Sequence, residues 1–208
     1  MTLFPFQPPE RPPELHATYA SFSPSEVNEL GFSAEECARV VAMASKVPGR
    51  AAEVFNGRLT APRGTVNEAI RRARVRALPA SREAHWLLDK LFAAITHANG
   101  RHWQFDLSGA FSPLLVAEYP IGGHYSWHVD LGAGPTSNRK LSLIVQLSDS
   151  RAYAGGAVEL MTTSRAIGMP KEQGTVVIFP SYTLHRVTKV SRGKRLALVG
   201  WIQGTPFR

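Results

Sequence analysis

The second half of the chain is a succession of short strand-like segments divided by turns, and this pattern restricts the fold more than any other feature. From Trp103 onward, apolar or alternating runs are separated by turn signals such as Ser108-Gly109 and Gly155-Gly156. We predict strands at residues 103–107, 114–119, 124–129, 140–147, 156–161, 175–179, 184–190 and 195–203. Together with the helices predicted upstream, so many short strands favour a double-stranded β-helix, or jelly roll.

Two helices are predicted before these strands. Ser33-Ala-Glu-Glu36 is a capping box, and the helix that it opens should run to about Lys46. After Ser81, an apolar stripe with a period near 3.6 predicts a second helix, which Asn99-Gly100 should end. We therefore predict the α+β class, mainly β, with N-terminal helices packed on one face of the jelly roll.

The length of 208 residues suits one domain with a sizeable core. Residues 1–15 are proline-rich and aperiodic, which predicts an extended arm. Residues 16–208 should form a single domain, with a helical and mixed part at 16–100 and the jelly-roll core at 101–208. Within the first part, short strands are expected near 19–22, 52–55 and 74–78.

The segment Tyr119–Asp130 ends in His128-Val129-Asp130, a histidine and a carboxylate two residues apart. On an extended strand both side chains project from one face, where they could bind one metal ion. A lone His-x-Asp is a weak signal. Two features further along the chain add to it: His185 opens a strand, and Arg195 heads another that is otherwise apolar. A permanently charged side chain there is costly unless it meets an anion.

These residues and their order resemble the Fe(II)/2-oxoglutarate dioxygenases of the prolyl 4-hydroxylase type. The likeness extends from about Ala84 to Gln203 and is strongest between Tyr119 and Trp201. It rests on His128, Asp130, His185 and Arg195, with Tyr119 upstream and Gly155-Gly156 between.

The resemblance implies that His128, Asp130 and His185 bind Fe(II), a set that leaves open positions on the metal. It also implies that Arg195 binds the distal carboxylate of the cosubstrate 2-oxoglutarate, and that Tyr119 and Gln146 bind the cosubstrate through further polar contacts. The implied reaction uses O2 to hydroxylate an unactivated C–H of a peptidyl or amino-acid-like substrate, and it releases succinate and CO2.

Strand alternation extends these expectations to neighbouring residues. Ser142 and Ile144 should share the face of Gln146, and Trp201 the face of Arg195. Tyr125 and Trp127 should point away from the face of His128, whereas His124 should lie on it. The loop at 131–139 could cover the entrance.

A formal charge of +8 leaves two interpretations open for the basic residues at 71–76. They could form a solvated face, or they could meet an acidic substrate. The same charge makes a nucleic-acid dealkylating dioxygenase an alternative function, but that group typically carries a second arginine where Trp201 stands. A catalytically silent jelly-roll binding module is the other alternative, against which the intact His128, Asp130, His185 and Arg195 argue. We expect no nucleic-acid partner.

A single cysteine, Cys37, excludes an internal disulfide framework and suits a reducing compartment. The start of the chain lacks a signal-peptide pattern, and no apolar run approaches the ~20 residues of a membrane span. We therefore expect a cytoplasmic protein with no membrane partner and with Cys37 as a core thiol. The sequence predicts neither the substrate's identity nor the oligomeric state.

Overall fold

The computed structural model describes residues 18–24, 29–54, 64–79, 81–162 and 164–206. The arm predicted at 1–15 lies outside these ranges, as does Phe55 at the end of one predicted strand. The helices are α1 (Ala34–Ser45) and α2 (His85–His102), with 3-10 turns at Arg82–Ala84 and Gly134–Thr136. The strands are β1 (Ala20–Phe22), β2 (Arg50–Ala51), β3 (Arg71–Arg72), β4 (Arg74–Ala77), β5 (Leu107–Phe111), β6 (Leu115–Tyr119), β7 (His124–His128), β8 (Arg139–Gln146), β9 (Ala154–Gly155), β10 (Val158–Met161), β11 (Ala166–Gly168), β12 (Val176–Pro180), β13 (His185–Val187), β14 (Val190–Arg192) and β15 (Arg195–Gly204).

Most of these strands form two antiparallel sheets. The larger has eight strands in the order β1-β12-β8-β15-β6-β4-β2, with β5 paired to β15, and the smaller has the order β11-β10-β13-β7-β3. Strands β9 and β14 form a separate pair. Strands distant in sequence are therefore neighbours in space, as in the predicted jelly roll, and the mainly β fold class is confirmed.

The two faces of β8 show how the roll is filled. Leu141, Leu143 and Val145 belong to a core cluster that also contains buried residues of both helices, including Cys37, Val40, Leu87 and Leu91. Ile144, on the other face, belongs to a second cluster with Val158, Leu160, Phe179 and Val187. Full burial of one such side chain contributes roughly 1.5–3 kcal/mol, so these clusters account for much of the stability of the fold.

Helix α1 begins as predicted. The Ser33 hydroxyl accepts a hydrogen bond from the Glu36 N–H at 3.1 Å, and the Glu36 carboxylate accepts one from the Ser33 N–H at 2.8 Å. This reciprocal pair is the predicted capping box, and it satisfies two N–H groups that the helix leaves unpaired.

The predicted end of α2 at Asn99-Gly100 is wrong, and so is the predicted strand at 103–107. The helix continues through Gly100 to His102, and the residue with positive φ is Gln104 at 52°. The Asn99 side chain explains the shift, since it bonds both the N–H and the carbonyl of Phe105 at 2.9 Å. Asn99 thus holds the chain reversal after the helix, and β5 starts only at Leu107.

Smaller differences concern strand limits. Ser108-Gly109 lies within β5 and does not separate strands, and the segment predicted as one strand at 184–190 forms β13 and β14. The short strands β9 and β11 were not predicted. Among the described helices, none combines the length and apolarity needed to cross a bilayer.

Candidate metal and cosubstrate site

The pairing of β7 with β13 brings the predicted metal ligands together. His128 and His185 are direct partners in this antiparallel pair, and Asp130 follows two residues after His128. His128 Nε2 lies 3.7 Å from Asp130 Oδ1, and His185 Nε2 lies 3.4 Å from Asp130 Oδ2. One ligand atom from each of the three residues lies within 4.8 Å of the other two. Three side chains from two strands thus converge on one point.

Backbone carbonyls set the tautomers of the two imidazoles. His128 Nδ1 lies 2.8 Å from the Ser126 carbonyl oxygen, and His185 Nδ1 lies 2.9 Å from that of Thr183. A carbonyl only accepts, so each Nδ1 carries a hydrogen, and each Nε2 is directed towards Asp130. Burial lowers the pKa of His128 to about 3, as does the neighbouring His185, so this ring is neutral at pH 7.

Asp130 is held as a carboxylate by its own contacts. The Ser142 hydroxyl donates to Asp130 Oδ2 at 2.7 Å, and Ser142 and Ser181 share a hydrogen bond of 3.0 Å. Burial raises the pKa of Asp130, but the two histidines and the hydrogen bonds from Trp201 and Ser142 lower it by more. The carboxylate is therefore ionised at neutral pH and fixed in orientation.

This donor set fits Fe(II). Two imidazole nitrogens and one carboxylate oxygen form the two-His-one-carboxylate arrangement that leaves positions open on non-haem iron. The hydrogen bonds on the far side of both rings and of the carboxylate orient the donors before a metal arrives.

Arg195 is buried near the metal ligands, with a relative exposure of 1%. It is the cross-strand partner of Tyr119 and donates from Nη2 to Gln146 Oε1 at 2.9 Å. Gln146 in turn donates to the Pro170 carbonyl at 3.0 Å, which fixes its amide. Arg195 Nε has no hydrogen-bond partner among the described residues, so part of the guanidinium fork is available to an anion.

Two cavities meet at the metal ligands. The inner cavity is lined by Tyr119, Ser142, Ile144, His185 and Arg195, among others. The outer cavity, of about 300 Å³, is lined by residues of the 50–54, 112–115 and 128–130 segments and by single residues of several strands, among them Arg139. His128, Asp130, Tyr125, Trp201 and Arg71 border both, so a metal ion held here would face the two cavities.

The predicted direction of Tyr125 is wrong. Its ring stacks on the His128 ring, with centroids 3.4 Å apart, and it lines both cavities. The cause is a β-bulge: His185 and Val187, two residues apart on β13, pair with His128 and Tyr125, which are three apart on β7. An extra residue reverses the alternation beyond it, so Tyr125 and His128 fall on one side.

The same bulge removes His124 from the site, contrary to the expectation that it shares the face of His128. Its ring nitrogens lie 3.0 Å from the Gly122 carbonyl and 3.1 Å from the Ala69 carbonyl, and it lines neither of the two cavities. Trp127 packs under the Arg186 guanidinium, at 4.6 Å.

Only one arginine of the 71–76 cluster reaches the site. Arg72 and Arg76 form salt bridges with Glu68 and Glu118, and Arg74 donates to the Gly49 carbonyl. Arg71 instead lines both cavities. The solvated-face interpretation therefore fits the exposed Arg72 and Arg74, whereas Arg76 is half-buried in its ion pair and Arg71 lines the cavities.

Arg139 is a lining residue whose position the sequence analysis missed. Its guanidinium lies 3.9 Å from the Trp201 ring centroid, and it lines the outer cavity. Burial lowers its pKa. The signal that singled out Arg195 was also present here, because Arg139 is a cation at the head of the apolar strand β8.

Comparisons with known proteins agree with this geometry. Residues 114–203 match the family model described as the 2OG-Fe(II) oxygenase superfamily. A PKHD-type hydroxylase of Thermosynechococcus vestitus is 39% identical over 95 residues, which are 44% of this chain and 42% of that protein. The chain thus aligns with less than half of that relative's length.

Two solved structures share the fold. A prolyl-4-hydroxylase of Pseudomonas putida has a TM-score of 0.64 at 18% identity, covering 90% of this chain and 93% of that one. A prolyl hydroxylase of Trichoplax adhaerens, solved with a hypoxia-inducible-factor peptide fragment, has a TM-score of 0.70 at 16% identity, covering 90% and 84%. Together with the family match, these likenesses confirm the predicted resemblance to 2-oxoglutarate/Fe(II) oxygenases of the prolyl 4-hydroxylase type.

Proposed function

We propose that the chain is an Fe(II)- and 2-oxoglutarate-dependent dioxygenase that hydroxylates an unactivated C–H of a peptidyl or amino-acid-like substrate. The observation that carries this proposal is the convergence of two imidazole Nε2 atoms and one ionised carboxylate in a cavity that a buried arginine also lines. With 2-oxoglutarate and O2, iron supplies the oxidising power for hydroxylation, and succinate and CO2 are released.

In this proposal His128, Asp130 and His185 bind the metal as its only protein ligands. Their orientation is set before binding, because the imidazole Nδ1 hydrogens and the Asp130 carboxylate are already engaged with the surrounding strands. The protein therefore loses little conformational freedom when the metal enters.

Arg195 binds the distal carboxylate of 2-oxoglutarate at the closed end of the inner cavity. The fork of N–H groups suits a bidentate pair with a carboxylate, and burial strengthens that pair by excluding water. Tyr119 lines the same cavity, with the Arg195 Cζ 5.4 Å from its ring centroid. Gln146 does not line that cavity, so we assign it the role of holding the Arg195 guanidinium in place.

The substrate occupies the outer cavity, which opens on the other side of the metal ligands. The name of one structural neighbour, a prolyl hydroxylase in complex with a peptide fragment, supports a peptidyl substrate, and the name of one curated relative, a PKHD-type hydroxylase, supports hydroxylation. Trp201 stands where a dealkylating enzyme would need its second arginine, and its ring is already engaged with Arg139 and Asp130.

The test measures binding and turnover separately. Calorimetric titration with Mn(II), then with 2-oxoglutarate, should show one site for each in the wild-type protein. With Fe(II), ascorbate and O2, the protein should form succinate from 2-oxoglutarate even without substrate, at a slow rate. Absence of both 2-oxoglutarate binding and succinate formation would favour the silent binding module.

A further inference from the structure

The outer cavity contains two arginines that have no carboxylate partner among the described residues. Arg71 and Arg139 both line it, and neither takes part in a salt bridge within the described ranges. Two arginines elsewhere in the fold, in contrast, are paired with a carboxylate: Arg76 with Glu118 at 3.0 Å and Arg186 with Glu159 at 2.7 Å. Two like charges facing one cavity repel each other unless an anion lies between them.

Each of the two guanidiniums stacks on an aromatic ring that touches a metal ligand. Arg71 Cζ lies 4.6 Å from the centroid of Tyr125, whose ring is stacked on His128. Arg139 Cζ lies 3.9 Å from the centroid of Trp201, whose indole is close enough to the Asp130 carboxylate to lower its pKa. Each arginine is therefore held against an aromatic ring that borders both cavities.

The aromatic rings contact the flat faces of the two guanidiniums. The N–H groups at the edges still need hydrogen-bond acceptors. The edge contacts are to backbone carbonyls: Arg71 Nη1 to Glu53 at 3.2 Å, and Arg139 Nη1 to Asp130 at 3.4 Å, a long bond. Both Nε atoms are buried and have no partner in the described part of the chain. A buried, unpaired donor on a charged group is costly, and an anion in the cavity would remove that cost.

We propose that Arg71 and Arg139 bind a carboxylate of the substrate, so that the enzyme selects carboxylate-bearing amino-acid-like or peptidyl substrates. This inference rests on the proposed function, because it assigns the substrate class of the same site. The guanidinium fork matches the two oxygens of a carboxylate, which gives selectivity over a neutral amide of the same shape.

The negative charges of the cavity do not satisfy these arginines. The Glu53 carboxylate pairs with Arg50 at 2.9 Å, and the Asp130 carboxylate is directed at the two histidines and at Ser142. In each case one aromatic ring separates the arginine from a metal ligand, so the carboxylate binds close to the metal. We therefore expect only a few bonds in the substrate between its carboxylate and the carbon that is hydroxylated. A free α-carboxylate or a short acidic side chain meets this requirement.

The test compares acids with their neutral amides. Protein loaded with Mn(II) and saturating 2-oxoglutarate, without O2, is titrated with N-acetylated amino acids, aspartate and glutamate derivatives included, and with the matching amides of the α-carboxylate and of the side-chain carboxylate. In the wild-type protein at least one acid should bind about 10-fold or more tightly than its amide, since hydrogen bonds between charged groups are the stronger ones. Arg71→Met and Arg139→Met, which keep an apolar stem for stacking, should each weaken binding of that acid about 10- to 100-fold.

Arg72→Met is the matched control. Arg72 neighbours Arg71 on β3 but is exposed and pairs with Glu68, so its loss changes the net charge equally and leaves the cavity unchanged. Equal binding of acids and amides by protein that binds 2-oxoglutarate overturns the inference, as does an effect of Arg71→Met no larger than that of Arg72→Met. Failure of the wild-type protein to bind Mn(II) and 2-oxoglutarate at all counts instead against the proposed function. The acid-over-amide comparison needs no variant, so it stands even where a substitution prevents folding.

Discussion

His128 and His185 are direct partners across the antiparallel pair of β7 and β13, with imidazole centroids 4.0 Å apart. Cross-strand partners on one face of a sheet are held at a nearly constant separation by the backbone hydrogen bonds. The sheet therefore fixes the separation of the two histidine backbones, and the Nδ1 contacts with the Ser126 and Thr183 carbonyls orient the rings. Asp130, just beyond β7, completes the set and takes its orientation from Ser142 on the opposite sheet.

Removal of one histidine should abolish the metal site. We expect His185→Ala to lower Mn(II) affinity by more than about 100-fold. Loss of a mere hydrogen-bond partner of a metal ligand already lowers metal affinity about 10- to 100-fold. Calorimetric titration measures the loss, and succinate formation should disappear with it. His124→Ala is the control, since His124 bonds only backbone carbonyls and should keep the wild-type affinity. Wild-type affinity in His185→Ala would contradict the assignment.

Arg195→Lys should weaken 2-oxoglutarate while metal binding persists. Lysine keeps the charge but loses the planar fork, so we expect the Kd for 2-oxoglutarate to rise about 10-fold. The measurement is a titration of the Mn(II)-loaded protein. Lys194→Gln is the control, because Lys194 is the neighbour of Arg195 in sequence but is exposed. Its ammonium group approaches Glu118 on the other side of β15. An unchanged Kd in Arg195→Lys would show that another cation binds the cosubstrate.

Ser142→Ala should weaken the metal without removing any ligand. It deletes the hydrogen bond that holds Asp130 Oδ2, and the loss of such a partner costs about 10-fold in metal affinity. Because Ser142 also lies against Ser181, the variant should be compared with the exposed Ser137→Ala by Mn(II) titration and by thermal unfolding. Equal metal affinity in the two variants would mean that the Ser142 hydroxyl does not position Asp130.

Cys37 should be inert in the folded protein. Burial, together with the charge of Glu36, raises the pKa of its thiol to about 11 from 9.0, so the thiolate fraction at pH 8 is roughly 100-fold lower than in the unfolded chain. Iodoacetamide should therefore label Cys37 slowly in native protein and readily in urea. The raised pKa stabilises the fold below about pH 9, and this contribution declines as the pH rises towards 11. Rapid labelling of native protein at pH 8 would place the thiol outside the core.

Local patterns in the sequence predicted the parts of the molecule that depend on near neighbours. The capping box at Ser33, the apolar stripe of α2 and most of the strands were predicted from them. Such features depend on residues within a few positions, where backbone geometry leaves few alternatives. The end of α2 was mispredicted because the Asn99 side chain, rather than Gly100, holds the chain reversal. Gly100 can adopt the left-handed conformation that often ends a helix. The hydrogen bonds between Asn99 and Phe105 instead hold the chain reversal further along, so the helix continues to His102.

The sequence by itself determined the identity of the candidate ligands, since His128, Asp130, His185 and Arg195 stand at the heads or ends of predicted strands in a recognisable order. The tertiary structure alone decided which other side chains reach them. The bulge in β7 turns Tyr125 towards the metal ligands and His124 away, and no local pattern marks an inserted residue. Likewise Arg71 and Arg72 are adjacent in sequence, but their shared strand pairs with β7, so one faces the cavity and the other faces solvent. Strand alternation predicts that two adjacent residues point to opposite faces of the sheet. Only the packing of one sheet on the other decides which of the two faces the cavity.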